Sequence, residues 1–319
     1  MSWRLFYSLT DHYPTDYFSP STAMTTQSIS RTTSRLRQAY SALIGYLLVT
    51  PPLLVMVFLI FLPALQAVVR TLFVNTQGAS VPTLSLVNYA TFFGNPIARS
   101  NLWFTIWVTL VTVAVLFVLC FPLAIYLRFS TSRIASAVQM LSLFPLFVPG
   151  VILAFALIRF VGPHGTVDTI LGLFGFTRYA TPYLKPLGII IGLVWEGIPF
   201  TVLVLTSGLR QVDNALIESA RDVGASQWRV FRSILLPLVQ RPAMIVFCLN
   251  VIGTFGAFTL PYLLGPAAPQ MMGVYMQQTY GEYQDRAGAE TQAVITFLFS
   301  AVVGILYVRT VTQQRAERR

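Results

Sequence analysis

Leu102-Trp-Phe-Thr-Ile-Trp-Val-Thr-Leu-Val-Thr-Val-Ala-Val-Leu-Phe-Val-Leu-Cys-Phe-Pro-Leu-Ala-Ile-Tyr-Leu127 runs for 26 residues without a charge. At a rise of 1.5 Å per residue, about 20 helical residues cross a hydrocarbon core of about 30 Å. Only helices or closed barrels satisfy every backbone polar group in lipid, and this run is too long and too continuously apolar for a barrel strand. It predicts a membrane-spanning helix. Five more apolar runs follow: Leu43 to Leu62, Ile134 to Ile158, Leu187 to Ser207 with the single charge Glu196, Ala243 to Leu264 and Thr291 to Val308. The fold class is therefore an all-α membrane protein with six transmembrane helices, in a membrane domain over residues 39–319.

Composition agrees. Of 319 residues, 55% are hydrophobic and 10% charged, against roughly 25% charged in soluble domains. A chain this apolar would expose large sticky patches to water on every side. That excludes a soluble enzyme, a disordered scaffold and a secreted disulfide module. Cys120 and Cys248 each lie inside an apolar run, where lone thiols act as small packing residues. His12 and His164 are too scattered for a metal site, so no bound metal or cofactor is expected.

The net charge of +10 is read as topology rather than as a nucleic-acid footprint. With the N-terminus in the cytoplasm, the cytoplasmic segments hold 15 of the 21 Lys and Arg residues. The excess of positive charge on cytoplasmic loops then puts both termini inside. Residues 1–38 are polar, rich in Ser, Thr and Tyr, and predict a disordered cytoplasmic tail. Met24 is an alternative start.

Prolines and glycines cluster in three spans: Pro145, Pro149 and Gly150 in the third, Pro199 in the fourth, and Gly253, Gly256 and Pro261 in the fifth. Proline removes a donor and kinks a helix. In a membrane such breaks survive where neighbouring helices or a wet cavity satisfy the freed groups. Gly and Pro are also generally commoner in membrane helices, but their clustering points to a pathway among spans three to five.

Glu196 is the tenth of 21 positions in the fourth span. A carboxylate near the midplane costs about 2.5–3.5 kcal/mol on insertion scales, so it must meet a cavity or a partner. Two readings stand: a contact for a cationic solute, or a hydrogen-bonded brace between helices. Asn250, Thr254 and Phe258 repeat at i, i+4, i+8 on one face of the fifth span. They either line the pathway or bind helices together.

The segment Gly208 to Pro242 is long for a connector and reads as two short helices. Asp213 is an N-cap for the first. Leu216, Ile217, Ala220 and Val223 form its apolar face, with Glu218, Arg221 and Asp222 on the wet side. Gly224 supplies a left-handed stop. Ser226 caps a second helix carrying Trp228, Val230, Phe231, Ile234 and Leu235, which Pro237 ends or kinks. A hook this short is not stable alone and is expected to pack into a groove on a partner.

Glu218-Ser219-Ala220, then three residues, Gly224, nine residues and Ile234-Leu-Leu-Pro237 resemble the EAA loop of binding-protein-dependent ABC importer permeases. Ser219 replaces the first Ala of that motif. The resemblance covers roughly residues 100–310. It implies a six-helix type I permease with a coupling loop over residues 208–242. In that family the short helix carrying Leu216, Ile217, Glu218, Ser219, Ala220, Arg221, Asp222 and Gly224 couples to a separate ATPase. The implied partners are an ATPase dimer using ATP and Mg, a second permease subunit (a paralogue or a copy of this chain), an extracytoplasmic solute-binding protein and the lipid bilayer of a bacterial inner membrane. Glu218 to Ser226 and Gly253 to Pro261 look most like spermidine/putrescine permeases. Iron(III), phosphonate and thiamine importers are close behind, and maltose-type sugar permeases are more distant.

The missing motifs agree with a transport subunit rather than an enzyme. A phosphate-binding loop ends in Gly-Lys-Ser/Thr, and the single lysine, Lys185, sits in Tyr-Leu-Lys-Pro. No Ser/His/Asp triad or paired-carboxylate site is visible. A secondary transporter, the alternative of a different class, would be expected to show inverted repeats and intramembrane coupling ions. One Glu and no repeat argue against it.

Overall fold

The computed structural model describes residues 43–74, 83–176 and 179–317; the polar tail 1–38 lies outside them. Contacts divide the chain between Gln66 and Ala67. In the first unit the described residues, 43–66, belong to helix α1 (Leu43–Leu72), which contains a π turn at Val57–Phe61. All of them are exposed. A helix apolar on every face and unburied in its own fold is a membrane span.

In the second unit, two short strands, β1 (Phe73–Val74) and β2 (Thr83–Leu84), pair antiparallel. Then follow α2 (Val87–Gly94) and α3 (Pro96–Phe129). Asn95 caps α3, its Oδ1 accepting from the Ile97 amide at 2.9 Å, with Pro96 at the first helical position, where its missing N–H costs nothing. α4 (Arg133–Leu143) tightens into a 3-10 turn at Phe144–Phe147, and α5 (Gly150–Val161) leads to α6 (Thr166–Leu173). α7 (Pro186–Arg210), α8 (Asn214–Asp222) and the long α9 (Gln227–Phe255) come next. α10 (Thr259–Leu264), α11 (Met272–Gly281) and α12 (Arg286–Glu317) complete the chain. Among the described residues six helical segments are long and apolar enough to cross a membrane.

The core forms where α3 lies along α7. Val108, Leu116, Cys120 and Ala124 of α3 are buried with Ile189, Val202, Leu205 and Leu209 of α7. Small residues allow the contact. A Cβ on Gly197 would stand 2.7 Å from Leu116 Cδ1, and one on Gly208 2.6 Å from Pro242 Cβ. Leu116 lies beside Gly197 and Arg128 beside Leu209, so α3 and α7 run in the same direction. Gly192 meets Leu260 and Leu264, and Gly188 meets the Leu264 carbonyl, so α10 runs back along the first half of α7. Between them, Asn101 Oδ1 and Thr105 Oγ1 of α3 accept from the Gln270 and Met272 amides at 2.9 and 2.8 Å. They hold the start of α11.

Four expectations change. The third span is interrupted at its prolines as their clustering suggests, but the segment long enough to cross is Gly150–Leu173 rather than Ile134–Ile158. Pro145 and Pro149 split it into α4 with its 3-10 turn and α5, and Val148 and Pro149 are extended between them. The fifth span, expected over Ala243–Leu264, starts earlier and breaks at Gly256–Phe258 before resuming as α10. Gly253 and Pro261, expected as interruptions, lie within helices. Pro199 does not interrupt the fourth span: α7 is continuous through it and buries it, as membrane helices tolerate where their neighbours take up the freed groups. Finally, the two helices expected within residues 208–242 are not both short: the second is the start of the long α9. α7 reaches Arg210 and α9 begins at Gln227, so only residues 211–226 connect them. Pro237 does not end the second hook helix. The turn ahead of it widens into a π turn at Phe231–Leu235, the Leu236 amide reaching back to the Phe231 carbonyl, and the helix runs on into α9.

Candidate functional site: an intramembrane cavity and a terminal hook

The hook is built as its residues predict. Asp213 caps α8, its Oδ1 accepting from the Ala215 amide at 3.0 Å. α8 ends at Asp222 with Val223 as its cap, and Gly224 takes φ +83°. The Gly224 amide donates to the Arg221 carbonyl at 2.8 Å and the Ala225 amide to the Ala220 carbonyl at 3.0 Å. This is the paired C-terminal capping pattern that a left-handed glycine permits. Ser226 then caps α9, accepting from the Arg229 amide at 3.3 Å.

The predicted apolar face of α8 divides in two. Ile217 is buried and Ala220 packs on the core, whereas Leu216 is 48% and Val223 85% exposed. Trp228, stacked on Phe231 with ring centroids 5.3 Å apart, is 66% exposed. Glu218, Ser219, Arg221 and Asp222 are exposed, as expected of the wet side. One apolar stripe therefore seats the hook on its own helices and leaves three large side chains uncovered around its tip.

Arg128, at the end of α3, ties the hook down. Its Nε donates to the Leu209 carbonyl at 3.1 Å, and its Nη2 to the Val212 carbonyl at 3.0 Å and to Asn214 Oδ1 at 2.6 Å. One guanidinium thus serves carbonyls at and just beyond the end of α7 and the first residue of α8. Sequence reading counted Arg128 only as a topology charge. Nothing local marks it, because its partners lie 81 to 86 positions away.

The second feature is a cavity of about 340 Å³ halfway along α7. Glu196, Asn250, Thr254 and Phe258, the four predicted pathway residues, all line it, together with Gly197, Phe200 and Gly253 among others. The helix breaks gather at the same level. Gly150, the first residue of α5, is close enough that a Cβ there would stand 3.8 Å from Glu196 Oε1 and 3.9 Å from Thr259 Cγ2. The start of α5 carries no side-chain cap, and the partial positive charge of a helix N-terminus favours a nearby carboxylate.

The two readings of the polar residues separate here. Asn250 both lines the cavity and joins helices, its Nδ2 donating to Thr201 Oγ1 of α7 at 3.0 Å. Thr201 is fully buried and was missed from sequence, since a threonine in an apolar run carries no signal of its own. Glu196 is exposed to the cavity, with no hydrogen bond or ion pair to another side chain among the described residues. The hydrogen-bonded brace expected of it finds no partner there. Among the described residues no group of His, Cys, Asp and Glu side chains could hold a metal ion.

Residues 121–316 match the family model for the inner membrane component of binding-protein-dependent transport systems. Relatives include a sulfoquinovosyl glycerol permease of Agrobacterium fabrum, SmoG, 25% identical over 84% of this chain and 90% of that one. The spermidine/putrescine permease PotB of Salmonella typhimurium is 28% identical over 79% and 88%. The trehalose/maltose permease MalF of Thermococcus litoralis is 25% identical over 87% and 96%. Among solved structures, a chain of a bacterial alginate ABC transporter, crystallised with its alginate-bound periplasmic protein, superposes with a TM-score of 0.70 over 88% of this chain and 96% of its own, at 16% identity. A chain of the MetNI methionine transporter matches with a TM-score of 0.51 over 67% and 94%, at 21% identity. Six apolar helices, a hook between the fourth and fifth, and a family match over most of the chain agree: this protein belongs to the inner membrane components of binding-protein-dependent transport systems and is a permease subunit of an ABC importer, not itself an enzyme.

Proposed function

We propose that the Glu196 cavity is part of the translocation route for a small cationic solute of polyamine type, handed over by an extracytoplasmic binding protein. The observation that carries this reading is the carboxylate itself: Glu196 is the one ionisable side chain lining the cavity, and it faces the open space. PotB-type relatives support it. A sugar is the second reading, favoured by SmoG and MalF at comparable identity. Glu196→Gln, which keeps shape and hydrogen-bonding capacity, separates the two. For a cation, uptake by the complete transporter should fall about tenfold or more, one lost charge contact in a low-dielectric site being worth well over 1.4 kcal/mol. The binding protein's own affinity should not change. Normal uptake of Glu196→Gln would rule out the cationic reading.

In this reading the hook seats in a cleft of a separate ATPase dimer that binds ATP and Mg, through Leu216 of α8, Val223 and Trp228 of α9. A second permease subunit, a paralogue or a copy of this chain, completes the route. Both termini and the hook are cytoplasmic in this reading, which the Lys and Arg distribution supports. A reporter fused at Ser226 should therefore behave as cytoplasmic and one near Pro266 as external. The reverse pattern would overturn the orientation.

A further inference from the structure

A second cavity of about 490 Å³ opens nearer the end of the bundle where α12 begins. One wall is a single face of α11, with Gly273, Met276, Gln277 and Tyr280 at i, i+3, i+4 and i+7. The opposite wall is the start of α12, where Ala289 and Ala293 leave room beside Glu290. Glu290 is held by Arg70 at 3.5 Å, so the lining offers mainly apolar and amide groups rather than an open carboxylate.

Phe258 lines both cavities. It sits at the break between α9 and α10 with φ −123° and ψ −55°, outside the helical geometry of its neighbours. Its ring stacks on Tyr262, with centroids 5.3 Å apart and planes 21° from parallel. From behind, α11 presses on the break: a Cβ on Gly273 would stand 2.8 Å from the Ala257 carbonyl oxygen. The ring is thus set by its own backbone break, by a stacking partner and by a close helix approach, and it is 40% exposed between two spaces.

We propose that the two cavities are successive stations of one route and that the Phe258 ring is the partition between them. This rests on the permease reading of the inner cavity, and it adds the outer station and the residue that separates the two. An aromatic constriction controls passage by size and by its dry surface. In this chain the solute meets apolar and amide groups first, then passes the ring, then meets Glu196.

Thiol labelling of the reconstituted transporter tests the partition without knowledge of the solute. In a background with Cys120 and Cys248 replaced by Ala, Gly253→Cys reports on the inner cavity. A Cβ there has no neighbour within 4 Å. Ala293→Cys reports on the outer one. The probe is a membrane-impermeant cationic methanethiosulfonate, added from the side where α12 begins. Phe258→Ala should speed modification at position 253 about tenfold and leave position 293 unchanged. Phe258→Leu, which keeps apolar packing, should speed it less, and Phe258→Trp should slow it. Equal rates at position 253 with Phe, Leu, Ala and Trp would overturn the proposal. So would a rise of the same size at position 293, which would indicate general loosening. A wild-type transporter without ATP-driven uptake would instead contradict the pathway reading, and this labelling does not depend on uptake.

Discussion

Arg128→Ala should separate ATP hydrolysis from uptake while leaving the protein inserted in the membrane. The guanidinium makes three hydrogen bonds, to the Leu209 and Val212 carbonyls and to Asn214 Oδ1. Bonds from a charged donor contribute about 1.5–3 kcal/mol each when isolated. They are not additive here, because one group makes all three and Arg128 is only half-buried. A local loss of about 2–3 kcal/mol is the expected scale. That is enough to free the α7–α8 junction, where the chain turns out of the bundle into the hook. The apolar face of α3 keeps its burial, so the melting temperature of the purified subunit should fall only slightly. Uptake per ATP hydrolysed, measured in proteoliposomes with the partner ATPase, should fall severalfold. Arg128→Lys keeps the charge but has no planar fork to reach two carbonyls and an amide together, so its coupling should lie between alanine and wild type. Unchanged coupling in both variants would mean that the hook does not depend on this tie.

Gly224→Val is expected to have the second large effect, for a different reason. At φ +83° a non-glycine residue pays about 1–2 kcal/mol in backbone strain, and a β-branched one more. No atom lies within 4 Å of a Cβ built there, so the penalty is conformational rather than steric. Relieving it requires Gly224 to leave the left-handed region. The Ala225-to-Ala220 bond would then be lost, and the angle between α8 and α9 would change. ATPase stimulation by the loaded binding protein should be lost, with insertion and expression preserved. Gly224→Asn is the control, because Asn tolerates left-handed geometry and open space surrounds the site; it should retain most of the coupling. If Gly224→Val couples as well as Gly224→Asn, the turn geometry is not what seats the hook.

Much of this was legible in the chain. Membrane spans rest on a quantity that is local and additive, the transfer cost of about 20 consecutive residues, so five were visible although their ends moved, while the third was displaced from Ile134–Ile158 to Gly150–Leu173. The Phe231–Leu235 π turn moved one such end: whether a helix stops before Pro237 or widens to accommodate it depends on what surrounds the freed carbonyl. The hook was legible for a similar reason. Asp213, Gly224 and Ser226 act on amides and carbonyls within six residues of themselves, so capping chemistry alone sets the two helix ends.

Tertiary structure decided the rest. That Glu196, Asn250, Thr254 and Phe258 share one cavity follows from α10 folding back along α7 and from α5 starting beside Glu196; periodicity placed three of them on one face without saying what that face meets. Which residues of the α8 stripe stay uncovered, Leu216 and Val223 rather than Ile217, depends on how the hook tilts against its own bundle. The roles of Arg128 and Thr201 depend on partners 49 to 86 positions distant. Helix caps and hydropathy are short-range properties written along the chain, whereas a cavity or a long-range tie exists only once packing has chosen which faces of the helices meet.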